Sequence, residues 1–305
     1  MNKIAFILGD TFLYWNSIIL MLACAAAVCL FLFFYLRQRG NGLGAAILVP
    51  LAVVLSFLLS RGLHWCCRSD AYPDLKTALT DFTGGGYALA GVFAGCILAA
   101  ALLRLVRVIQ NLPMALDCMA LAGCAGIGLG RLSCLYTGAE EWHLATFMLQ
   151  AIFAGGLFLG LTVWYLAKQR KQSESCRDGD AAWLFLAFYG ASQVLLDSTR
   201  CDSLFLPGIS LASLPQLLGV VGLILSCIVF SVRLVKARGF RRQYVPVWLG
   251  FAALMGTVGY VEYWVQRRGD QAILLWTVMG CCLAVMTAMV CLLHWRAAAA
   301  PAAQA

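Results

Sequence analysis

Charge is what this sequence has least of: only 12% of its 305 residues are Asp, Glu, Lys or Arg, while 62% are hydrophobic. An ordinary soluble domain carries about a quarter charged residues, and a mean hydropathy of +0.85 leaves too little polar surface to cover a water-soluble fold. The same scarcity excludes disordered chain, nucleic-acid-binding domains and secreted disulfide scaffolds. Proline is held to 7 residues and histidine to 3, so neither a Pro-rich linker nor a His-rich metal tract is present. Also missing are segments of about ten residues alternating apolar and polar, which removes a spanning β-barrel. No internal repeat is visible, which weighs against transporters built from inverted repeats and leaves a small-molecule transporter a distant third reading.

What remains is a set of continuous apolar runs, each about the 20 residues that a helix needs to cross the hydrocarbon core. Spans are expected at Phe12 to Leu36, Gly42 to Ser60, Phe82 to Leu103, Pro113 to Tyr136, Thr146 to Ala167, Ala181 to Asp197, Leu211 to Val232, Tyr244 to Val265 and Ala272 to Leu293. The fold class that follows is all-α, a polytopic transmembrane helix bundle with no room for an ordinary soluble domain. Met1 to Thr11 precedes the first span, and the apolar run after it is too long for a cleaved signal peptide, so it should be retained.

The net charge of +8 is spread unevenly over the loops. Connections after the first, third, fifth and seventh spans, with the tail, hold fourteen of the 22 basic residues: Arg37, Arg39, Arg104, Arg107, Lys168, Arg170, Lys171, Arg177, Arg233, Lys236, Arg238, Arg241, Arg242 and Arg296. Basic residues concentrate on the cytoplasmic side, so the N-terminus is expected outside and the C-terminus in the cytoplasm. The Lys236 to Arg242 cluster then reads as an orientation signal that also touches anionic lipid, and no nucleic-acid partner is expected.

Most of the 14 cysteines fall inside spans, where a thiol acts as a small apolar group. Cys66, Cys67 and Cys201 are expected outside. His64 beside the Cys66–Cys67 pair suggests zinc, but adjacent cysteines lack the usual spacer and no second ligand pair follows. A disulfide to Cys201 fits better. No metal and no cofactor is expected.

An arginine at the centre of a span costs about 2.5 to 3.5 kcal/mol on insertion scales, so Arg131 is a candidate functional residue. It follows Gly123, Gly126, Gly128 and Gly130, which would let another helix or a lipid headgroup approach the backbone, and its guanidinium can hold a phosphate through paired hydrogen bonds. Snorkelling to the headgroups is the plainer alternative. The third span opens with Asp81-Phe-Thr-Gly84-Gly85-Gly86-Tyr87 and continues with Gly91 and Gly95, a pattern that serves anion binding at a helix start and tight helix packing equally well. In the sixth span Tyr189, Gln193, Asp197 and Arg200 form one polar stripe, with an interfacial Asp197–Arg200 ion pair the simpler reading. By the loop-charge orientation, Arg61, Asp81, Arg131, Glu140, Asp197 and Arg200 all approach the outer boundary, with Glu262 near them. A site at the outer leaflet follows.

Taken in order, these residues resemble the motif series of the prolipoprotein diacylglyceryl transferases of bacterial inner membranes. The series is Trp15, Arg61, Asp81 with Gly85–Gly86, Gly91 and Gly95, Gly128-Leu-Gly130-Arg131-Leu132 followed by Gly138 and Glu140, Tyr189–Gly190, Asp197-x-x-Arg200, and Ser213-x-x-Gln216. The resemblance runs from Trp15 to Val232. It implies a seven-helix transferase-like domain over 1–236; the last two spans fall outside it as an added transmembrane hairpin over 237–295, and the Ala-rich, low-complexity stretch over 296–305 is expected to be a disordered tail. It further implies transfer of diacylglyceryl from phosphatidylglycerol to the cysteine thiol of a lipoprotein signal peptide, in a bacterial plasma membrane. The implied catalytic residues are Arg131, facing the phosphate, and Glu140. The implied binding residues are Arg61, Gly85, Gly86, Tyr87, Gln193, Asp197, Arg200 and Gln216.

Several family positions are altered. The family's histidine, five residues after the first glycine of the pair, is Ala90, and the second cation of the sixth span is Gln193. Asn16, Cys134 and Thr137 stand where the family has Tyr, Asn and Asn, and Ala139 sets Glu140 one position late. None of the three histidines falls in an expected span, although His64 and His143 lie on the outer side and could act as bases. The alternative function is therefore a catalytically weak paralogue that binds phospholipid or signal peptide.

Overall fold

A computed structural model describes residues 4–8, 11–69, 72, 74–80, 86–136, 141–170, 177–200, 203–208, 211–267 and 271–299. The order of elements is a two-stranded hairpin, β1 (Ile4–Leu8) and β2 (Thr11–Tyr14), then ten α-helices. These are α1 (Trp15–Arg37), α2 (Gly42–Cys67), α3 (Leu75–Thr80), α4 (Leu89–Leu105), α5 (Leu112–Arg131), α6 (Glu141–Arg170), α7 (Asp180–Asp197), α8 (Leu214–Arg238), α9 (Val245–Val265) and α10 (Ala272–Ala298). The helical bundle expected from the apolar runs is the fold observed. Among the described residues, seven helices are long and apolar enough to cross a membrane: α1, α2, α5 with its following 3-10 turn, α6, α8, α9 and α10. The chain is a multi-pass membrane protein. α4 is a shorter apolar helix of 17 residues, and α7 carries an aspartate at each end of its 18 residues.

Several expected boundaries shift. The first span was expected from Phe12, but Thr11–Tyr14 is strand, paired antiparallel with Ile4–Leu8 in the register Leu8 to Thr11 and Phe6 to Leu13. The run Thr-Phe-Leu-Tyr is rich in β-branched and aromatic side chains, which favour a pleated strand over a first helical turn. The third span starts at Leu89, not Phe82, with 82–85 outside the described residues; Gly86, at φ +78°, takes a left-handed conformation that a helix cannot include. α2 continues past Ser60 to Cys67 and α10 past Leu293 to Ala298. His64 and His294, expected outside the spans, are therefore both helical residues, and both helices are apolar enough to cross. The short α3 was not expected. Its first turn is held by the Asp74 carboxylate, which accepts the Thr77 N–H at 2.8 Å, and the hydrogen bonds with Thr77 keep the exposed Asp74 carboxyl below its ordinary pKa.

The chain forms two units, Met1–Trp164 and Tyr165–Ala305. Within the first, α1 packs antiparallel on α5 and α2 antiparallel on α4. Antiparallel order follows from which residues meet: Gly126 lies against Ala27 and Gly130 against Leu20 and Ala23, while Gly91 lies against Ser60 and Gly95 against Ser56. A Cβ at Gly91 or Gly95 would collide with the α2 backbone, so glycine is what allows the two backbones to touch. Two serines seal that contact. Ser60 Oγ donates to the Ala88 carbonyl at 2.9 Å and Ser56 Oγ to the Val92 carbonyl at 3.0 Å, satisfying hydroxyls that would be costly to bury alone.

In the second unit α7 and α8 meet at Gly190 and Gly219, each lying where the other's Cβ would need to be. Ser226 of α8 donates to the Trp183 carbonyl at 2.8 Å. α9 is tied to α8 by Trp248 Nε1, which donates to Ser231 Oγ at 3.0 Å. α10 is held to α7 at two levels: Trp276 Nε1 donates to Ser198 Oγ at 3.2 Å, and His294 Nε2 lies 3.1 Å from Asp180 Oδ2. Asp180, buried at the start of α7, also pairs with Arg233 of α8.

Candidate active site

In the first unit, antiparallel packing brings the start of α1, the end of α2, the start of α4 and the end of α5 to one end. Arg61 lies there, in the penultimate turns of α2, and is only 1% exposed. Its Nη1 donates to the Gly86 carbonyl at 3.1 Å and to Tyr72 Oη at 3.4 Å. The guanidinium also lies over the rings of Tyr72 and Tyr87, at 5.4 and 5.0 Å from their centroids. A buried cation held this way fixes the chain that leads into α4.

Gly86 is closed in by a second side chain. A Cβ there would sit 2.6 Å from His64 Cε1 and 2.9 Å from its Nδ1, so the imidazole occupies the space that glycine leaves. His64 also meets Tyr72 edge-on at 6.2 Å. The first amide of this turn is already committed, because Ala88 N–H donates to the Ser60 carbonyl at 3.2 Å. Of the two readings of this glycine-rich segment, helix packing accounts for Gly91 and Gly95, while Gly86 belongs with Arg61, His64 and Tyr87. Gly85 and Asp81 lie outside the described residues, as do Gly138, Glu140 and Cys201.

Arg131, the last residue of α5, is half-buried, with its guanidinium 5.3 Å from the centroid of the Phe147 ring of α6. The flanking glycines are mostly occupied by neighbouring helices. Gly126 and Gly130 face α1, and Gly128 faces Ala151 and Gly155 of α6; only Gly123 has open space around its Cα. These glycines therefore bring helices close to Arg131. Trp15 sits at the same end, against Tyr136 at 6.1 Å and Phe6 of the hairpin at 6.2 Å.

In the second unit the Asp197 carboxylate accepts from Ser213 Oγ, and its other oxygen lies 3.5 Å from Arg200 Nη1. The ion pair expected from the three-residue spacing is present. Ser213 caps α8: Gln216 N–H donates back to Ser213 Oγ at 3.4 Å, and Gln216 Oε1 accepts the Ser213 N–H at 2.9 Å, a reciprocal capping box. Gln216 Nε2 further donates to the Val194 carbonyl at 3.2 Å. Both ends of that buried amide are thus engaged, Oε1 in the cap of α8 and Nε2 on α7. Gln193 is buried one turn before Asp197, and Tyr189 stacks on Phe185 at 5.2 Å.

No group of three or more His, Cys, Asp or Glu able to hold a metal occurs among the described residues. Cys66 and Cys67 are free thiols. Sequence reasoning missed Tyr72 and Phe147, the aromatic partners of the two arginines, and no signal marked them: Tyr72 stands in a short connection, and Phe147 is one apolar residue in an apolar helix.

The sequence profile of the prolipoprotein diacylglyceryl transferase family matches residues 3–233, ending before α9. Among curated relatives, the phosphatidylglycerol–prolipoprotein diacylglyceryl transferase of Clostridioides difficile (strain 630) is 24% identical over 202 residues, covering 61% of this chain and 77% of its own. The protein of the same description from Lactobacillus delbrueckii subsp. bulgaricus (strain ATCC BAA-365 / Lb-18) is 25% identical over 268 residues, covering 78% and 93% respectively.

Proposed function

Because the chain belongs to the prolipoprotein diacylglyceryl transferase family, we propose that it moves diacylglyceryl from phosphatidylglycerol to the cysteine thiol of a lipoprotein signal peptide in a bacterial plasma membrane. The observation that carries this reading is the gathering of Arg61, Gly86, Tyr87 and Arg131 at one end of the first unit, because displacing a phosphate ester needs cations near a lipid-accessible surface. That end faces outward if the bias of basic residues sets the topology, with the N-terminus outside and the C-terminus cytoplasmic.

Arg131 grips the phosphate through two parallel hydrogen bonds, and Phe147 beneath its guanidinium holds the fork in plane. Arg61, Gly85, Gly86 and Tyr87 shape the headgroup side, with Arg61 acting through the backbone it fixes. Glu140 is the candidate acid or base carried over from the family. Asp197, Arg200, Gln193 and Gln216 are the second unit's candidate binding residues, Asp197 setting Arg200 and Gln216 setting the start of α8. We assign the transferase module to 1–236 and the added hairpin to α9 and α10 after it, a division supported by a family match that stops at 233; residues 296–298, expected in the tail, belong to α10.

A second reading, a weakly active paralogue that binds phospholipid or signal peptide, is favoured by Ala90 and Gln193, which lack the basic groups of the family. Complementation of bacteria depleted of their own transferase separates the two. A reporter lipoprotein that gains the mass of diacylglyceryl supports the transferase, and one that stays unmodified while the chain is inserted refutes it.

A further inference from the structure

We propose that His64 is the base that takes the proton from the acceptor thiol. The inference rests on the transferase reading and names a residue for a step that chemistry requires, since the thiolate and not the thiol is the nucleophile. Ala90 supplies no base on α4. The nearest imidazole is on the facing helix: Gly91 packs on Ser60, and His64 stands one helical turn beyond Ser60, where α2 runs past the start of α4.

Three observations converge on that ring. Gly86 is left-handed and lacks the Cβ that would strike the imidazole, so the backbone at Gly86 fits against the ring. Arg61, one turn earlier on α2, holds the Gly86 carbonyl and so fixes the wall against which the ring rests. The buried Nδ1 of His64 has no hydrogen-bond partner among the described residues, although buried polar atoms are nearly always paired. The ring is only half-buried, and its Nε2 likewise has no hydrogen-bond partner among the described residues, so that nitrogen is open to a substrate thiol. Among the described residues, the charged and titratable groups around it are Arg61 and Arg68 beside it in the chain, Tyr72 in the connection, and Tyr87 before α4; Asp74, and Lys76 of α3, are exposed.

The step balances without a further reagent. The S–H proton passes to His64, and the thiolate forms a C–S bond to the glyceryl carbon that carries the phosphate. That C–O bond breaks, its electron pair leaves on glycerol phosphate, and His64 releases its proton to the departing phosphate or to water.

The test uses the purified full chain in mixed micelles with dioleoylphosphatidylglycerol and a synthetic peptide bearing one cysteine, read by product mass and released glycerol phosphate. His64→Asn and His64→Gln should each lower turnover by about 100-fold or more at pH 7. Both should recover toward the unsubstituted chain as the pH approaches about 8.5, where the free thiol ionises by itself. Capture of phosphatidylglycerol vesicles should not change. Variants that keep full turnover at every pH overturn the proposal and leave the transferase reading standing. Loss of turnover at every pH together with loss of vesicle capture also overturns it, because it makes His64 structural. A parent chain that makes no product overturns both.

Discussion

Arg61→Lys isolates what the guanidinium fork does at the end of α2, because it keeps the charge and removes the plane. A lysine ammonium can reach one acceptor, and the shorter contact, to the Gly86 carbonyl at 3.1 Å, is the one it would keep. The bond to Tyr72 Oη is lost; a hydrogen bond from a charged donor contributes about 1.5 to 3 kcal/mol, and at 3.4 Å the low end applies. The stack on the two tyrosine rings, at 5.4 and 5.0 Å, weakens by about 0.5 to 1 kcal/mol each. The total is about 3 kcal/mol. Arg68→Lys, two turns further along and exposed, should cost no more than about 0.5 kcal/mol. Steric-trap or mixed-micelle unfolding of the full chain measures both, and the expected difference is roughly a hundredfold in the unfolding equilibrium. Equal stability of the two variants would refute the account of Arg61 as the residue that fixes the Gly86 turn.

Arg131→Lys should reduce phosphatidylglycerol turnover or capture at least tenfold, while Arg107→Lys, in an exposed turn, should leave both within twofold, because only the first removes a two-pronged phosphate grip; equal effects reduce Arg131 to a snorkelling residue. A reporter enzyme active only outside the cell should be active when fused after Ser69 and silent after Ser173, and the reverse pattern would invert the assigned orientation.

The helices were legible because apolar runs of about 20 residues admit little else. Their ends were harder. Hydropathy falls at the first charged residue, which puts the end of the second span at Ser60, yet the helix continues to Cys67 and carries His64 with it. The β-hairpin went unseen for the opposite reason, since Phe12, Leu13 and Tyr14 are as apolar as the helix they precede and hydropathy cannot tell strand from span. Asp197–Arg200 was legible because the partners stand three residues apart, in the turn that ends α7. Contacts between residues far apart in sequence were not, and the Asp197–Ser213 bond, the Arg61–Gly86 bond and the Arg131–Phe147 stack are all of that kind.

The geometry also separates two kinds of information within the family's motifs. Gly91, Gly95 and Gly190 stand where backbones touch, and Ser213 with Gln216 caps a helix, so these positions answer to packing and would persist in any chain that keeps the helices in place. Gly86, Arg61 and Arg131 answer to something else. Gly86 meets an imidazole and not a backbone, and burying the Arg61 guanidinium costs free energy that the contact of α2 with α4 does not require. On the proposed transferase reading, Ala90 removes a basic group of the family from α4, and His64, one turn beyond Ser60 on α2, is the base that answers that loss.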